Sequence, residues 1–250
     1  MASHPIYQFY AELCDYEPKI WRRFQVMDHI TAARLGYILM TLFEMQACHL
    51  FCFDISFLEN LSRRQKRTGS QSDLELLSYL KEDEERTQTH IELPCEEDDW
   101  LEFRGTNLDA SKAKLSQIVR EEDNIMHFSY DYGDGWEITL VLEKILYDAN
   151  LPGKELPRVL EGEGYGIIED CGGPGGLEEL AEAFRKKSGK SYEVFREWLG
   201  VDELNLDEFD IDDMNFRLKK VPRIYTDIYE HELPPTKQSL KLLTREYKKK

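Results

Sequence analysis

Residues 128–136 read Phe-Ser-Tyr-Asp-Tyr-Gly-Asp-Gly-Trp, and this pattern predicts a β-hairpin. Aromatic residues occupy alternate positions before the turn, and the glycines at the tip tolerate the positive φ angles of a tight turn. Apolar residues alternate again from Trp136 to Leu142, as expected of a returning strand. Asp131, Asp134 and Trp136 lie where a simple turn needs none of them, so the hairpin is also a candidate site.

A second segment, Glu169-Asp170-Cys171-Gly172-Gly173, is the expected companion of the hairpin. It lies within residues 151–176, which are rich in Gly and Pro and lack hydrophobic periodicity. A loop of this length is typically functional or mobile. We therefore expect the pocket of the protein to lie between the hairpin and this loop.

The N-terminal quarter predicts a β-β-α-β unit. Alternating apolar residues indicate strands over Ile6–Leu13 and Ile20–Met27, and a compact apolar run indicates a third over Cys48–Ile55. Between the second and third strands, Thr31 is a plausible N-cap of a helix whose apolar residues from Leu35 onwards recur at helical spacing. The fold class is therefore α+β, with a mixed or antiparallel sheet and helices packed on it.

Charged runs dominate about residues 59–99. We interpret this segment as a charged insertion or long mobile excursion, with a short helix around Leu74–Leu80. A helix over Asp109–Arg120, with Asp109 as its cap, is expected to follow it.

The C-terminal part is expected to be helical, with helices over Leu177–Lys187 and Tyr192–Leu199 and a short one carrying Met214. We expect one domain over residues 1–220 and an extension over 221–250. From Lys237 onwards six basic residues face one acidic residue, which gives 6 − 1 = +5. In an acidic protein such a tail is expected to dock on its own acidic surface or on a partner.

Composition excludes some classes of function. The 250 residues are 41% hydrophobic and 12% aromatic, which indicates a folded protein, and the net charge is −17. Nucleic acid and anionic membranes require a cationic surface, so we expect direct binding to neither. The charge favours a protein partner with a basic surface.

The expected cellular location is the cytoplasm. We find no signal peptide and no apolar run of membrane-spanning length. The five cysteines are odd in number and irregular in spacing, which is typical of reduced thiols in a cytoplasm. No cofactor is expected.

Six blocks in order resemble the plasmid pRiA ORF-three-like family, which is found on plasmids, transposons and other mobile elements. They are Pro18–Arg23, the helix from Leu35 with His49–Phe53, Tyr130–Trp136, Glu169–Pro174, Trp198–Gly200, and Phe209-Asp210 with Asn215. The resemblance covers most of the chain. It implies an α+β fold with a mixed sheet, and it implies no settled activity.

The chain departs from the family pattern at several polar positions. Gly36 and Ile138 stand where the family usually has His, and Val159 stands where it commonly has Cys. Glu44-Met45 replaces a usual Gly-Trp, and Ile167-Ile168 replaces Pro-Pro. An activity of the family that used those histidines would be lost in this member.

The candidate catalytic and metal-binding residues are the acids of the two segments. The carboxylates of Asp131, Asp134, Glu169 and Asp170 suit a hard cation, or general acid and base catalysis. The alternative is local: Asp134 bonds the turn backbone, Asp131 pairs with Arg22 or Arg23, and Glu169 and Asp170 cap a helix that begins near Gly176.

Cys171 is a further catalytic candidate, with His49 as the only family-matched histidine available to act as its base. The alternative is a buried structural thiol. Candidate pocket residues are His49, Tyr130, Trp136, Gly172 and Gly173. The glycine-rich runs lack the residues of phosphate-binding loops, so we expect no nucleotide.

Three functions follow. The first is an acidic, non-enzymatic interaction protein of a mobile element, in its sharper form an inhibitor that mimics nucleic-acid charge and binds a basic host nuclease or defence protein. The second is a metal-assisted hydrolase that uses Asp131, Asp134, Glu169 and Asp170. The third is a structural or regulatory module. The sequence favours the first narrowly.

Overall fold

A computed structural model describes residues 4–94 and 104–248. Its centre is one mixed sheet, which in these two ranges has eight strands in the order β5-β4-β3-β6-β7-β1-β2-β8. Adjacent strands are antiparallel except for the parallel pair β4 and β5. The strands are β1 Ile6–Leu13, β2 Trp21–Met27, β3 Phe51–Ser56, β4 Gln88–Glu92, β5 Thr106–Asp109, β6 Ile125–Tyr130, β7 Trp136–Leu146 and β8 Arg158–Glu163.

Helices join and cover these strands. They are α1 Ala32–Leu42, α2 Phe57–Thr68, α3 Gln71–Leu80, α4 Leu115–Ile118, α5 Gly173–Lys186, α6 Lys190–Leu199, α7 Ile211–Leu218, α8 Val221–Tyr229 and α9 Lys237–Leu243. Short 3₁₀ helices span Lys81–Thr87, Gly153–Glu155 and Glu246–Lys248. In the ranges that the structure describes, no helix combines the length and the apolar character needed to cross a bilayer.

The predicted hairpin forms the centre of the sheet, because β6 and β7 pair from Ile125↔Val141 to Tyr130↔Trp136. Phe128, Tyr130, Trp136 and Ile138 are all fully buried. Helix α1 lies on this apolar face, and a Cβ at Gly36 would lie 2.7 Å from the ring of Phe51. The α+β fold, the N-terminal β-β-α-β unit and the helical C-terminal part are therefore confirmed.

Arg22 and Arg23 lie on opposite faces of β2, because successive side chains of a strand alternate. Arg22 is fully buried, and among the described residues its guanidinium donates to backbone carbonyls alone, including those of Leu42 and Gly164. Arg23 forms ion pairs with Glu143 and Glu161 on the other face. The predicted pairing of Asp131 with either arginine is therefore wrong.

The charged segment is more regular than the sequence predicts. Residues 57–92 form α2, α3, a 3₁₀ helix and β4, which is an interior strand of the sheet. The charges lie largely on outer surfaces, while Leu58, Leu61 and Leu77 form a small apolar cluster beneath them. The described part is thus not a long excursion. The acidic run at 96–99 lies outside the described residues, and an insertion relative to the family stays a prediction.

Two further predictions of local structure are wrong. Asp109 ends β5, and its carboxylate accepts hydrogen bonds from the N–H and hydroxyl of Ser111, so the helix that follows shortens to Leu115–Ile118. Residues 151–176 are also not one loop, because β8 lies within them and pairs with β2 at the edge of the sheet.

The C-terminal segment folds back onto the protein. Helix α8 packs against α1, and the tail that follows α9 places Arg245 against Glu44 and Asp213, and Lys248 against Asp210 and Asp213. The basic tail thus docks on the protein's own acidic surface, which is one of the two targets expected from the sequence.

Candidate functional site

Two loops meet beside the hairpin tip. The His49 loop is residues 43–50, between α1 and β3, and the acidic loop is residues 164–172, between β8 and α5. The N–H of Ile167 donates to the carbonyl of Phe43 at 2.9 Å. A Cβ at Gly166 would lie 2.6 Å from that same carbonyl oxygen, so the contact requires glycine. The two backbones are therefore in direct contact.

This contact, together with the hairpin, brings one imidazole and three carboxylates together. The Nε2 atom of His49 lies 3.4 Å from Asp131 Oδ2, 3.6 Å from Glu169 Oε2 and 3.8 Å from Asp170 Oδ1. We call these four residues the His49 cluster. The Asp131 and Glu169 side chains are 11% and 8% exposed, whereas that of Asp170 is 75% exposed. The cluster therefore has a buried inner side and a side open to solvent.

Glu169 is held firmly by one oxygen, while the other oxygen faces His49. Its Oε1 atom accepts the Gln46 N–H at 2.6 Å and the Tyr130 hydroxyl at 2.8 Å. Its Oε2 atom is buried, and no group in the described ranges donates a hydrogen bond to it. Burial raises the pKa of the Glu169 carboxyl. A buried acceptor without a partner is costly, so this atom, which faces His49, is the feature of the site that most needs a ligand.

Asp131 divides its two oxygens between the turn and the cluster. Its Oδ1 atom accepts the N–H of Gly133 at 3.1 Å and that of Asp134 at 3.4 Å. Its backbone has a φ of 52°, a left-handed conformation that Asp tolerates better than most residues. The turn thereby fixes the carboxylate and directs Oδ2 towards His49.

Asp134, the fourth predicted acid, lies outside the cluster. Its carboxylate accepts the Gly172 N–H at 3.2 Å, which ties the hairpin tip to the acidic loop. A Cβ at Gly173 would lie 2.2 Å from the Asp134 carbonyl oxygen. The expectation that Asp134 bonds Gly135 or Trp136 is therefore wrong. The expected capping by Glu169 and Asp170 is also wrong, because α5 begins at Gly173 without a side-chain cap.

The remaining candidate residues contribute differently. Burial raises the pKa of the Cys171 thiol to about 12, and its Sγ lies 3.7 Å from the Gly173 carbonyl, which is a poor arrangement for a nucleophile. Trp136 is fully buried in the core and not at a pocket wall. Tyr130 is also buried, but its hydroxyl reaches Glu169 and thus supports the site.

A second cluster provides a contrast. Asp54 Oδ1 lies 2.8 Å from His90 Nδ1, Glu92 Oε2 lies 3.3 Å from His90 Nε2, and the Cys52 thiol lies 3.6 Å from Asp54. These groups satisfy one another, and Asp54 and Glu92 raise the pKa of His90. The four cysteines in the described ranges, which exclude Cys95, are free thiols.

The ligand set of the His49 cluster fits a divalent metal ion. One ligand atom from each of His49, Asp131 and Glu169 lies within 4.8 Å of the other two. Atoms that share a metal ion at about 2.0–2.2 Å lie within about 4.4 Å of one another, so only small shifts are required. A mixed imidazole and carboxylate set suits ions such as Mn²⁺ and Zn²⁺ better than Mg²⁺, which prefers oxygen.

The sequence identified these residues but not their grouping. It paired His49 with Cys171 and gave Asp134 the same role as Asp131. Gln46, whose N–H holds Glu169, was not identified, because a backbone donor leaves no trace in the residue type. The position of Gln46 in a loop near the family-matched His49 was the available signal.

Comparisons with known proteins agree with this architecture. The model of the plasmid pRiA4b ORF-3-like protein family matches residues 5–217, which include both loops and the hairpin. An uncharacterised protein of Sinorhizobium fredii, y4hQ, is 32% identical over 94 residues, which are 37% of this chain and 47% of that protein. The matched region thus spans about half the length of this relative.

A crystal structure of a protein of unknown function from Methanosarcina mazei Go1 matches with a TM-score of 0.62 and 23% identity, over 84% of this chain and 98% of the other. This likeness shows a shared fold. Neither relative has a described activity. The match over residues 5–217, with the hairpin and the two loops in their expected places, shows that the chain belongs to the plasmid pRiA4b ORF-3-like family.

Proposed function

We propose that the His49 cluster binds a divalent transition-metal ion and that the bound ion supports hydrolysis. The observation that carries the proposal is Glu169 Oε2, a buried carboxylate oxygen that faces the His49 imidazole and accepts no hydrogen bond from any described residue. A metal ion would satisfy this oxygen. It would also neutralise the charge that Asp131 and Asp170 add to the cluster.

The arrangement is an open one. His49, Asp131 and Glu169 supply three ligands from the inner side, and the remaining positions of an ion would face solvent and hold water. A divalent ion held by these residues would lower the pKa of bound water and so supply a nucleophile near neutral pH. The exposed carboxylate of Asp170, which lies 3.8 Å from His49 Nε2, would accept a proton from such a water.

Mn²⁺ is titrated into metal-free protein. Binding is measured by calorimetry and by the decrease in the electron paramagnetic resonance signal of free Mn²⁺. We expect one site per chain, and we expect Glu169→Gln to weaken binding by about 100-fold. Glu193→Gln, an exposed substitution on α6, is the matched control and should leave binding unchanged. Equal affinity in the wild type and Glu169→Gln would refute the metal site.

Hydrolysis is tested separately. Metal-loaded protein is assayed with chromogenic esters, amides and phosphodiesters, and the rates are compared with those of Glu169→Gln. Activity that requires both Mn²⁺ and Glu169 supports the hydrolase. Tight metal binding without hydrolysis of esters, amides or phosphodiesters would show that the protein binds metal but does not hydrolyse these substrates.

A second function is favoured by charge. The net charge of −17 supports a non-catalytic role in which the acidic surface binds a basic protein, including a basic nuclease or defence protein whose nucleic-acid groove it would occupy. A pull-down from host lysate at low and high salt tests this role. Recovery of no basic protein at low salt would count against it.

A further inference from the structure

The His49 loop has a backbone that needs support from outside the loop. Glu44 and Ala47 have φ angles of 65° and 60°, a left-handed conformation that costs free energy in residues other than glycine. The loop also lacks regular secondary structure from Met45 to Leu50. Such a conformation persists only where surrounding contacts determine it.

Much of that support comes from residues beyond the family match, which ends at residue 217. The Tyr225 hydroxyl donates to the Met45 carbonyl, and the Tyr229 hydroxyl donates to the carbonyl of His49 itself. Both tyrosines are on α8. The Tyr229 ring stacks on Tyr37 with centroids 5.7 Å apart, so packing fixes the position of its hydroxyl.

A buried ionic contact holds the start of the same loop. Arg245 donates to both carboxylate oxygens of Glu44, at 2.6 and 2.8 Å, and Arg217 donates to one of them at 2.6 Å. The Glu44 side chain is 7% exposed and that of Arg245 is 18% exposed. Two-point contacts between arginine and a carboxylate fix orientation as well as distance.

We propose that the C-terminal segment, residues 221–248, positions His49 for metal binding, with Tyr229 as the positioning residue closest to the ligand. This inference rests on the proposed metal site and extends it to a segment outside the family match. Tyr229 does not touch the ion. It fixes the backbone that carries the imidazole, as outer partners of metal ligands commonly do.

The proposal has a reciprocal consequence. If docking of the C-terminal segment strengthens metal binding, then metal binding must strengthen docking by the same factor. Bound Mn²⁺ should therefore slow proteolysis of the chain after the basic residues of the tail.

The test compares two substitutions of the same chemistry in the same segment. Tyr229→Phe removes the hydroxyl that reaches His49, whereas Tyr247→Phe removes one that donates to Asp213 and does not reach the His49 loop. We expect Tyr229→Phe to raise the Kd for Mn²⁺ by about 10-fold and Tyr247→Phe to leave it unchanged. Wild-type affinity in Tyr229→Phe, in a protein with native circular dichroism, would overturn the proposal.

A second measurement does not depend on the metal. Amide hydrogen exchange of the peptide covering residues 43–50 is followed in metal-free protein. Exchange about 10-fold faster in Tyr229→Phe but not in Tyr247→Phe supports positioning, and unchanged exchange contradicts it. If the wild type binds no Mn²⁺ while exchange still responds, the proposed metal site fails, and the proposal is overturned as a statement about metal binding.

Discussion

The Tyr130 hydroxyl donates to Glu169 Oε1 at 2.8 Å and so connects the hairpin strand to the acidic loop. The same hydroxyl accepts the backbone N–H of Cys48 at 3.2 Å, next to His49. One fully buried phenol thus joins both loops of the candidate site to the core of the sheet.

Tyr130→Phe should therefore affect stability and metal binding together. The substitution keeps the ring but leaves a buried carboxylate oxygen and a backbone N–H with one partner fewer. We expect a loss of about 1–3 kcal/mol in the free energy of unfolding, measured by urea denaturation, and about 10-fold weaker Mn²⁺ binding. A neutral effect on both would show that Tyr130 serves only as a core aromatic residue.

Glu169→Gln should stabilise the metal-free protein while it weakens Mn²⁺ binding by about 100-fold. Burial raises the pKa of Glu169, so folding favours its protonated form, and its contribution to stability is lost as the pH rises through the folded pKa. The amide carries no charge and avoids this loss. We expect the melting temperature of the variant to exceed that of metal-free wild type by about 2–4 °C at pH 8.

The control for this prediction is the pH. Well below the ordinary value of 4.5 the carboxyl is protonated in both the folded and unfolded states, so the difference between the two proteins should shrink. A variant that is less stable than metal-free wild type at pH 8 would contradict the picture of a costly unpaired oxygen.

His90 should make stability depend weakly on pH. Its raised pKa, caused chiefly by the hydrogen bond to Asp54, means that the folded state favours the imidazolium. The stabilisation is therefore full below the ordinary value of 6.5 and is lost as the pH rises through the folded pKa. We expect about 0.5 kcal/mol less stability at pH 8.5 than at pH 5.5 from this group, and Asp54→Asn should remove most of that difference, because Glu92 still contacts His90.

Gly36→Ala should destabilise the packing of α1 on the sheet. The new Cβ would lie 2.7 Å from the Phe51 ring, which is fixed between other aromatic residues. We expect a loss of about 1–3 kcal/mol in urea denaturation. Gly175→Ala in α5 is the matched control, because its Cβ would meet no atom within 4 Å, and it should stabilise the protein by up to about 1 kcal/mol.

The hairpin was predictable because its information is local. Alternating aromatics and a glycine turn specify two paired strands whatever surrounds them, and Phe128 and Ile138 are buried as that alternation requires. The helix capped by Thr31 was predictable for the same reason. Strands β4 and β8 were not, since most of their residues are polar, charged or glycine and their positions depend on pairing with β3 and β2.

The site was predictable only in part. The acids and His49 were identified as separate candidates, but their convergence depends on contacts between segments far apart in the chain. The sequence paired Asp131 with Arg22 or Arg23, whereas the arginines are occupied by carbonyls and by other acids. Asp131 lies in the cluster because the turn binds its Oδ1 atom and leaves Oδ2 facing His49, whereas the Asp134 carboxylate binds the Gly172 N–H. The residue type does not reveal this difference.

The contact of Gly173 with the Asp134 carbonyl has a wider consequence. Because it joins backbone to backbone, the gap between the hairpin tip and the acidic loop does not depend on which side chains line it. The backbone thus sets the spacing of the hairpin tip and the acidic loop separately from the side chains at positions 49, 131 and 169. Substitutions of the three residues proposed as metal ligands are therefore expected to change ion binding while the fold stays the same.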